Sequence, residues 1–126
     1  LIRILPSKKN RTFEVVLDKK SRLFKISLRP SFEHKIDWDN RSSLDPENAG
    51  IYRYLDYKGE VIYIGKGNIK ERSLVQERND WHVKTIEYSL IKDDHQSYYW
   101  EAFYLKEYLD FNRRLPMWNL INGRGA

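Results

Sequence analysis

Along residues 11–28 the chain alternates apolar and polar positions twice. Phe13, Val15 and Leu17 alternate with Glu14 and Val16, and Phe24, Ile26 and Leu28 alternate with Lys25 and Ser27. A period of two on each side of the polar turn 18–21 predicts a β-hairpin, which Pro30 stops. Residues 31–49 carry Asp, Asn, Ser and Pro46 without clear periodicity and read as a connector, with Trp38 as its anchor to the body. Residues 51–56 and 61–64 predict a second hairpin around Lys58 and Gly59. Asn68, with Glu71 three positions later, is a capping-box signal for a helix over about 69–78. In 84–92, Ile86, Tyr88 and Leu90 alternate with Glu87 and Ser89, which predicts a strand. Asp93 or Asp94 then caps a longer helix reaching about 111, with Pro116 beyond it. The order is two strands, then β-β-α-β-α, an α+β chain.

Length and composition narrow the function. The 126 residues suffice for one domain with one core. No cysteine is present, so disulfide frameworks and zinc–cysteine sites are excluded. No apolar run approaches the ~18 residues of a membrane span, and a cytoplasmic or other intracellular setting is expected. The chain opens on Leu1 rather than Met, as a trimmed piece of something longer would. The formal charge is +5, and it is unevenly spread. Residues 1–35 hold ten lysines or arginines against three acids, a local excess of seven, which leaves a net of minus two for the rest. Such asymmetry is either a solvated hairpin face or the footprint of an arm that grips nucleic acid. On the second reading Lys19, Lys20, Arg22 and Lys25 are the DNA-contacting residues.

Several residues carry candidate chemistry. Gly65-Lys66-Gly67 lacks the Walker spacing, and Lys70 stands where a dinucleotide fingerprint needs its third glycine. The two glycines are expected to release the chain from strand to helix. On the longer helix, Tyr98, Ala102, Leu105 and Leu109 share one face at 100° per residue, with Glu101 at its margin. A carboxylate there needs a cation, either a lysine or arginine partner or a hard metal ion. Arg72 near the inward side of the shorter helix is either a surface arginine or a guanidinium for a phosphate, and Lys66 is placed to do likewise. His34 and His95 have no metal-ligand spacing.

Taken in order, Gly50-Ile51-Tyr52, Tyr63-Ile64-Gly65, Lys66, Arg72, Glu101 and Pro116-Met117-Trp118-Asn119 resemble the GIY-YIG nuclease family, over residues 50–119. The resemblance implies a small three-stranded antiparallel sheet flanked by helices, here preceded by a β-hairpin arm. Residues 1–49 would be the basic extension and connector, and 50–126 the catalytic domain. It implies hydrolysis of DNA phosphodiesters with one divalent ion, Mg²⁺ or Mn²⁺. Glu101 would be the metal ligand, Tyr63 the general base and Tyr52 a partner in the water's network. Arg72, with Lys66, would hold the scissile phosphate, and Asn119 would brace the site. A tyrosine is a poor base at its ordinary pKa of about 10, so nearby cations would have to favour the phenolate. Where some members carry a histidine one helical turn after the arginine, this chain has Gln76, which leaves open which residue is the base. Lys66 could take over that electrostatic role, and His82 is a second substitute.

The family includes restriction, phage, homing and repair nucleases. The layout of the chain suits a restriction or phage-type enzyme. The alternatives are a repair or homing catalytic domain cut from a longer chain, and an inactive nucleic-acid-binding module that kept the fold. Cutting both strands with a single-site module implies a homodimer or sequential nicks.

Overall fold

Thr12–Leu17 and Phe24–Leu28 pair antiparallel, with Phe13 opposite Leu28, Val15 opposite Ile26 and Leu17 opposite Phe24. This is the hairpin that the alternation predicts. The computed structural model describes residues 2–6, 12–17 and 24–121. It adds a strand that the pattern did not signal, Ile2–Pro6, which pairs along the other edge of Thr12–Leu17. These strands, β1 (Ile2–Pro6), β2 (Thr12–Leu17) and β3 (Phe24–Leu28), form a three-stranded sheet in that order. Lys19, Lys20 and Arg22 lie outside the described residues, and Lys25 sits in β3 opposite Val16. The chain divides into two compact units, Leu1–Ser31 and Phe32–Ala126. Residues 32–49, expected to belong with the extension, are therefore part of the second unit.

The second unit holds four antiparallel strands. They are β4 (His34–Asp37), β5 (Ala49–Leu55), β6 (Val61–Asn68) and β7 (Thr85–Leu90), in the spatial order β4-β7-β5-β6. The expected three-stranded sheet thus gains an edge strand from the stretch read as a connector. Of the four β4 residues only Ile36 is apolar, facing Ile86 across the pair. Too little alternation exists there for a period to show. After β4 a 3₁₀ turn, Trp38–Ser43, buries Trp38 edge-on to Tyr54 at 5.0 Å between ring centroids, so Trp38 does anchor this stretch. The Arg41 guanidinium lies over Trp38 and donates to the carbonyls of Trp38 and Ser73.

The Asn68 side chain accepts from the Glu71 amide at 2.9 Å, which caps helix α1 (Ile69–Ser73) at the predicted place. The helix is shorter than the expected 69–78. Ser73 bonds back to the Lys70 carbonyl, Val75 is extended, and a 3₁₀ segment, Gln76–Asp80, follows. Asp93 caps α2 (Asp94–Asn112) by accepting from the His95 amide. A short α3, Met117–Ile121, follows Pro116.

The buried face of α2 is Ser97, Trp100, Glu101 and Tyr104, not the expected row of Tyr98, Ala102, Leu105 and Leu109. Tyr98 is 62% and Leu109 43% exposed. Trp100 and Tyr104 bring their two large rings onto Phe32, Ile51 and Ile64, and that packing decides the rotation of the helix. Glu101 consequently lies within the buried stripe rather than at its margin.

Side chains of the sheet alternate between two cores. Tyr52, Tyr54, Ile62, Ile69, Trp38, Trp81 and Ile86 cluster together. Ile51 and Ile64 pack with Phe32, Trp100 and Tyr104 under α2. Among the described residues no helix is long and apolar enough to cross a membrane.

Candidate active site

Strand β6 is the sheet edge, bonded to β5 alone, so its outward backbone groups need another partner. Asn119 supplies it. The Ile64 amide donates to Asn119 Oδ1 at 2.9 Å, and Asn119 Nδ2 donates to the Ile64 carbonyl at 2.8 Å. Asn119 is fully buried. Its amide acts as one residue of an extra strand and clamps β6 between Tyr63 and Gly65. Replacing Asn119 with alanine is expected to cost about 1–3 kcal/mol for each backbone group left buried and unpaired. A lower midpoint in urea denaturation would register the loss, and an unchanged midpoint would contradict this account of the clamp.

Tyr63, Gly65 and Gly67 share one face of β6, and Tyr52 and Tyr54 of β5 stand opposite Gly65 and Tyr63. A Cβ on Gly65 would lie 2.6 Å from the Tyr52 hydroxyl oxygen and 2.8 Å from Tyr63 Cε2. The Tyr52 phenol therefore occupies the space that a side chain at 65 would fill. Gly67, at φ +119°, does release the chain from strand to helix, and the Arg72 guanidinium hangs over it, with Nε 3.0 Å from a would-be Cβ. The two glycines leave a bare strip of strand beside which Tyr52, Tyr63 and Arg72 gather. Arg72 is exposed, and among the described residues no hydrogen bond or ion pair engages its guanidinium.

Lys66 and Glu101 arrive from the other side. Lys66 lies on the Ile64 face of β6, opposite Ile51, and its Nζ is 3.1 Å from Asp94 Oδ1 at the start of α2. Glu101, 5% exposed, projects from the same helix between Trp100 and Tyr104. Tyr52, Tyr63 and Arg72 thus share the glycine side of β6, Asn119 pairs its outer edge, and Lys66 and Glu101 lie on the opposite, α2 side of the sheet.

Sequence reasoning missed Arg78. Its Nη1 donates to both the Tyr52 hydroxyl at 2.8 Å and the Tyr54 hydroxyl at 2.9 Å. Its Cζ lies 4.9 Å from the Tyr63 ring centre and 5.2 Å from that of Trp81. Among the described residues no carboxylate pairs with it. Burial opposes its charge, the oxygens of Tyr52 and Tyr54 favour it, and the balance leaves the guanidinium firmly protonated. Arg78 lies at the end of the stretch expected to be a helix, within a polar run of ordinary surface character, and nothing local marks it as buried.

The phenols do not behave alike. Burial pushes the Tyr52 hydroxyl well above its ordinary pKa, against the pull of Arg78. The same effect carries Tyr54 to about 12. The expected acidification by neighbouring cations fails for Tyr52, because desolvation outweighs one guanidinium. Tyr63 is only partly buried, and among the described residues its hydroxyl has no hydrogen-bond partner.

Among the described residues no group of three or more His, Cys, Asp or Glu comes together. Glu101 is the one carboxylate among the expected site residues. A single oxygen donor suits a hydrated Mg²⁺ or Mn²⁺ ion that keeps most of its water, and not a zinc cage.

No family model matches the chain, and no solved structure matches it. Among curated proteins it is similar to UvrABC system protein C. It is 33% identical to that of Shewanella denitrificans over 90 aligned positions, covering 59% of the chain. Identity is 31% with those of Shewanella oneidensis and Shewanella sp. strain ANA-3 over the same span. The match takes in 13% of the length of these relatives, so the chain is a partial relative of UvrABC system protein C.

Proposed function

We propose that the second unit is a divalent-metal-dependent nuclease module that hydrolyses DNA phosphodiester bonds. The observation that carries this reading is the gathering of Tyr52, Tyr63 and Arg72 beside the side-chain-free strip of Gly65 and Gly67. The exposed guanidinium of Arg72 stands over Gly67 at one end of it. The likeness to UvrABC system protein C favours a repair-type catalytic domain over a restriction or phage enzyme.

In this reading Arg72 holds the scissile phosphate by charge-assisted hydrogen bonds. Tyr63 takes the proton of the attacking water. The water oxygen bonds to phosphorus while the bond from phosphorus to the leaving sugar oxygen breaks. Tyr52, tied to Arg78, fixes the floor against which Tyr63 is set. Lys66 adds positive charge from the α2 side and reaches a phosphate once it releases Asp94. Glu101 would hold the Mg²⁺ or Mn²⁺ ion, which would supply Lewis-acid stabilisation of charge on a phosphoryl group. Lys19, Lys20, Arg22 and Lys25 extend the grip on DNA.

Nicking of supercoiled plasmid in Mg²⁺ or Mn²⁺, abolished by EDTA, is the expected result. Retention of DNA in a gel-shift assay with no nicking in either metal would reject the nuclease reading. It would favour the inactive binding module.

A further inference from the structure

The buried stripe of α2 runs on past the core. Ser97, Trp100, Glu101 and Tyr104 are buried, and Tyr108 is half-buried against the same core. Phe111, seven positions after Tyr104, continues the line. Yet Phe111 is 86% exposed, the most of any large apolar residue among those described. Beside it lies a cleft of about 170 Å³, walled by Val61 and Ile64 of β6 and by Tyr104 and Tyr108 of α2, with Phe111 completing the wall. Arg53 also lines the cleft, but its guanidinium is already paired with Glu87 at 2.7 Å, so the cleft suits an apolar guest rather than an anion. We propose that this end of α2 is a self-association surface, on which two copies of the chain related by a two-fold axis exchange their Phe111 rings, each entering the other's cleft.

Three observations commit the cleft to a second copy. The first is size. An apolar cavity of about 150 Å³ holds one benzene molecule, so this cleft takes one phenyl ring and little more. The second is self-complementarity. A two-fold contact needs one patch that supplies both halves, and here the exposed ring and the cleft adjoin on the last turns of one helix. Two rings exchanged in this way meet near the axis, where they can stack on each other. The third is charge. Glu107 stands four positions before Phe111 and Arg114 three after it, while Asp110 and Arg113 stand one before and two after. When two α2 ends meet antiparallel at Phe111, Glu107 of each copy lies near Arg114 of the other, and Asp110 near Arg113. Acids thus face arginines on both sides of the axis, which favours this register over a parallel one.

The proposal stands apart from the nuclease reading, because association is measured without DNA or metal. Were the module to cut, paired copies would supply the second site that two-strand cleavage needs. Sedimentation equilibrium of the intact protein, from about ten micromolar to about one millimolar, is expected to show a reversible monomer–dimer equilibrium. Phe111→Ser removes two rings per dimer and should weaken association about a hundredfold or more. Its far-ultraviolet circular dichroism should match that of the wild type, since the ring is exposed in the single chain. Tyr98→Ser, on another face of α2, should leave the equilibrium unchanged. Replacing Arg113 and Arg114 together by glutamate should weaken it about tenfold or more, and this variant decides if Phe111→Ser does not fold. A wild type that stays monomeric over the whole range overturns the proposal. So does a dimer whose strength survives Phe111→Ser, or survives the two glutamates where Phe111→Ser does not fold. A dimer that Tyr98→Ser dissolves overturns it too.

Discussion

Glu101→Gln is expected to abolish metal-dependent nicking while leaving the protein as stable as before. The amide has the size of the carboxylate and can still hydrogen-bond, so the buried face that Glu101 shares with Ser97, Trp100 and Tyr104 keeps its shape. What disappears is the negative charge that, in the proposed function, holds a divalent ion. Losing several kcal/mol of charge stabilisation lowers the rate on the order of 10³-fold or more. DNA retention in a gel-shift assay should change little, because the phosphate-gripping cations remain. Stability discriminates further. The amide keeps the size and the hydrogen-bonding capacity of the carboxylate, so a thermal midpoint close to that of the wild type is expected of a group kept for function. A large fall in the midpoint with a parallel fall in activity would instead assign Glu101 to the fold.

Tyr63→Phe should be the second large effect, and its contrast with Tyr52→Phe separates two kinds of tyrosine. Removing the Tyr63 hydroxyl breaks no hydrogen bond among the described residues. Stability should stay within about 0.5 kcal/mol, while loss of the general base lowers the rate by roughly 10²–10⁴. Removing the Tyr52 hydroxyl strips the buried Arg78 of an acceptor at 2.8 Å. About 1–3 kcal/mol of stability should be lost. Single-turnover nicking beside urea denaturation reads both quantities. A Tyr63→Phe protein that cuts at the wild-type rate would remove Tyr63 as the base. Should Tyr52→Phe lose activity at full stability, the two roles would be exchanged.

The Glu101 and Tyr63 predictions start from position in the sequence, and Arg78 shows where such information stops. Asn68 and Asp93 cap their helices because each needs only an amide two or three residues away. The alternation at 84–92 became β7, although its buried positions are Ile86 and Ser89, and Leu90 of the apolar row is 45% exposed, because both faces of this sheet carry a core. By contrast β4 has one apolar residue in four and is a strand only because β7 offers it an edge. The face of α2 was misjudged because a helical wheel weighs the row of Tyr98, Ala102, Leu105 and Leu109 without knowing that Ile51 and Ile64 await Trp100 and Tyr104.

The amino-acid sequence alone determined the α+β class, the second hairpin, the capped helices and the ordered set of Tyr52, Tyr63, Arg72, Glu101 and Asn119. These depend on periodicity and on contacts between near neighbours, which the order of residues records. Tertiary structure decided that Gly65 makes room for the Tyr52 phenol, that Asn119 completes the β6 edge and that Arg78 turns inward to Tyr52 and Tyr54. Each of these joins residues brought together by strand pairing and core packing. A side chain's partner across such a distance follows from where the backbone goes, and no local pattern of polarity encodes it.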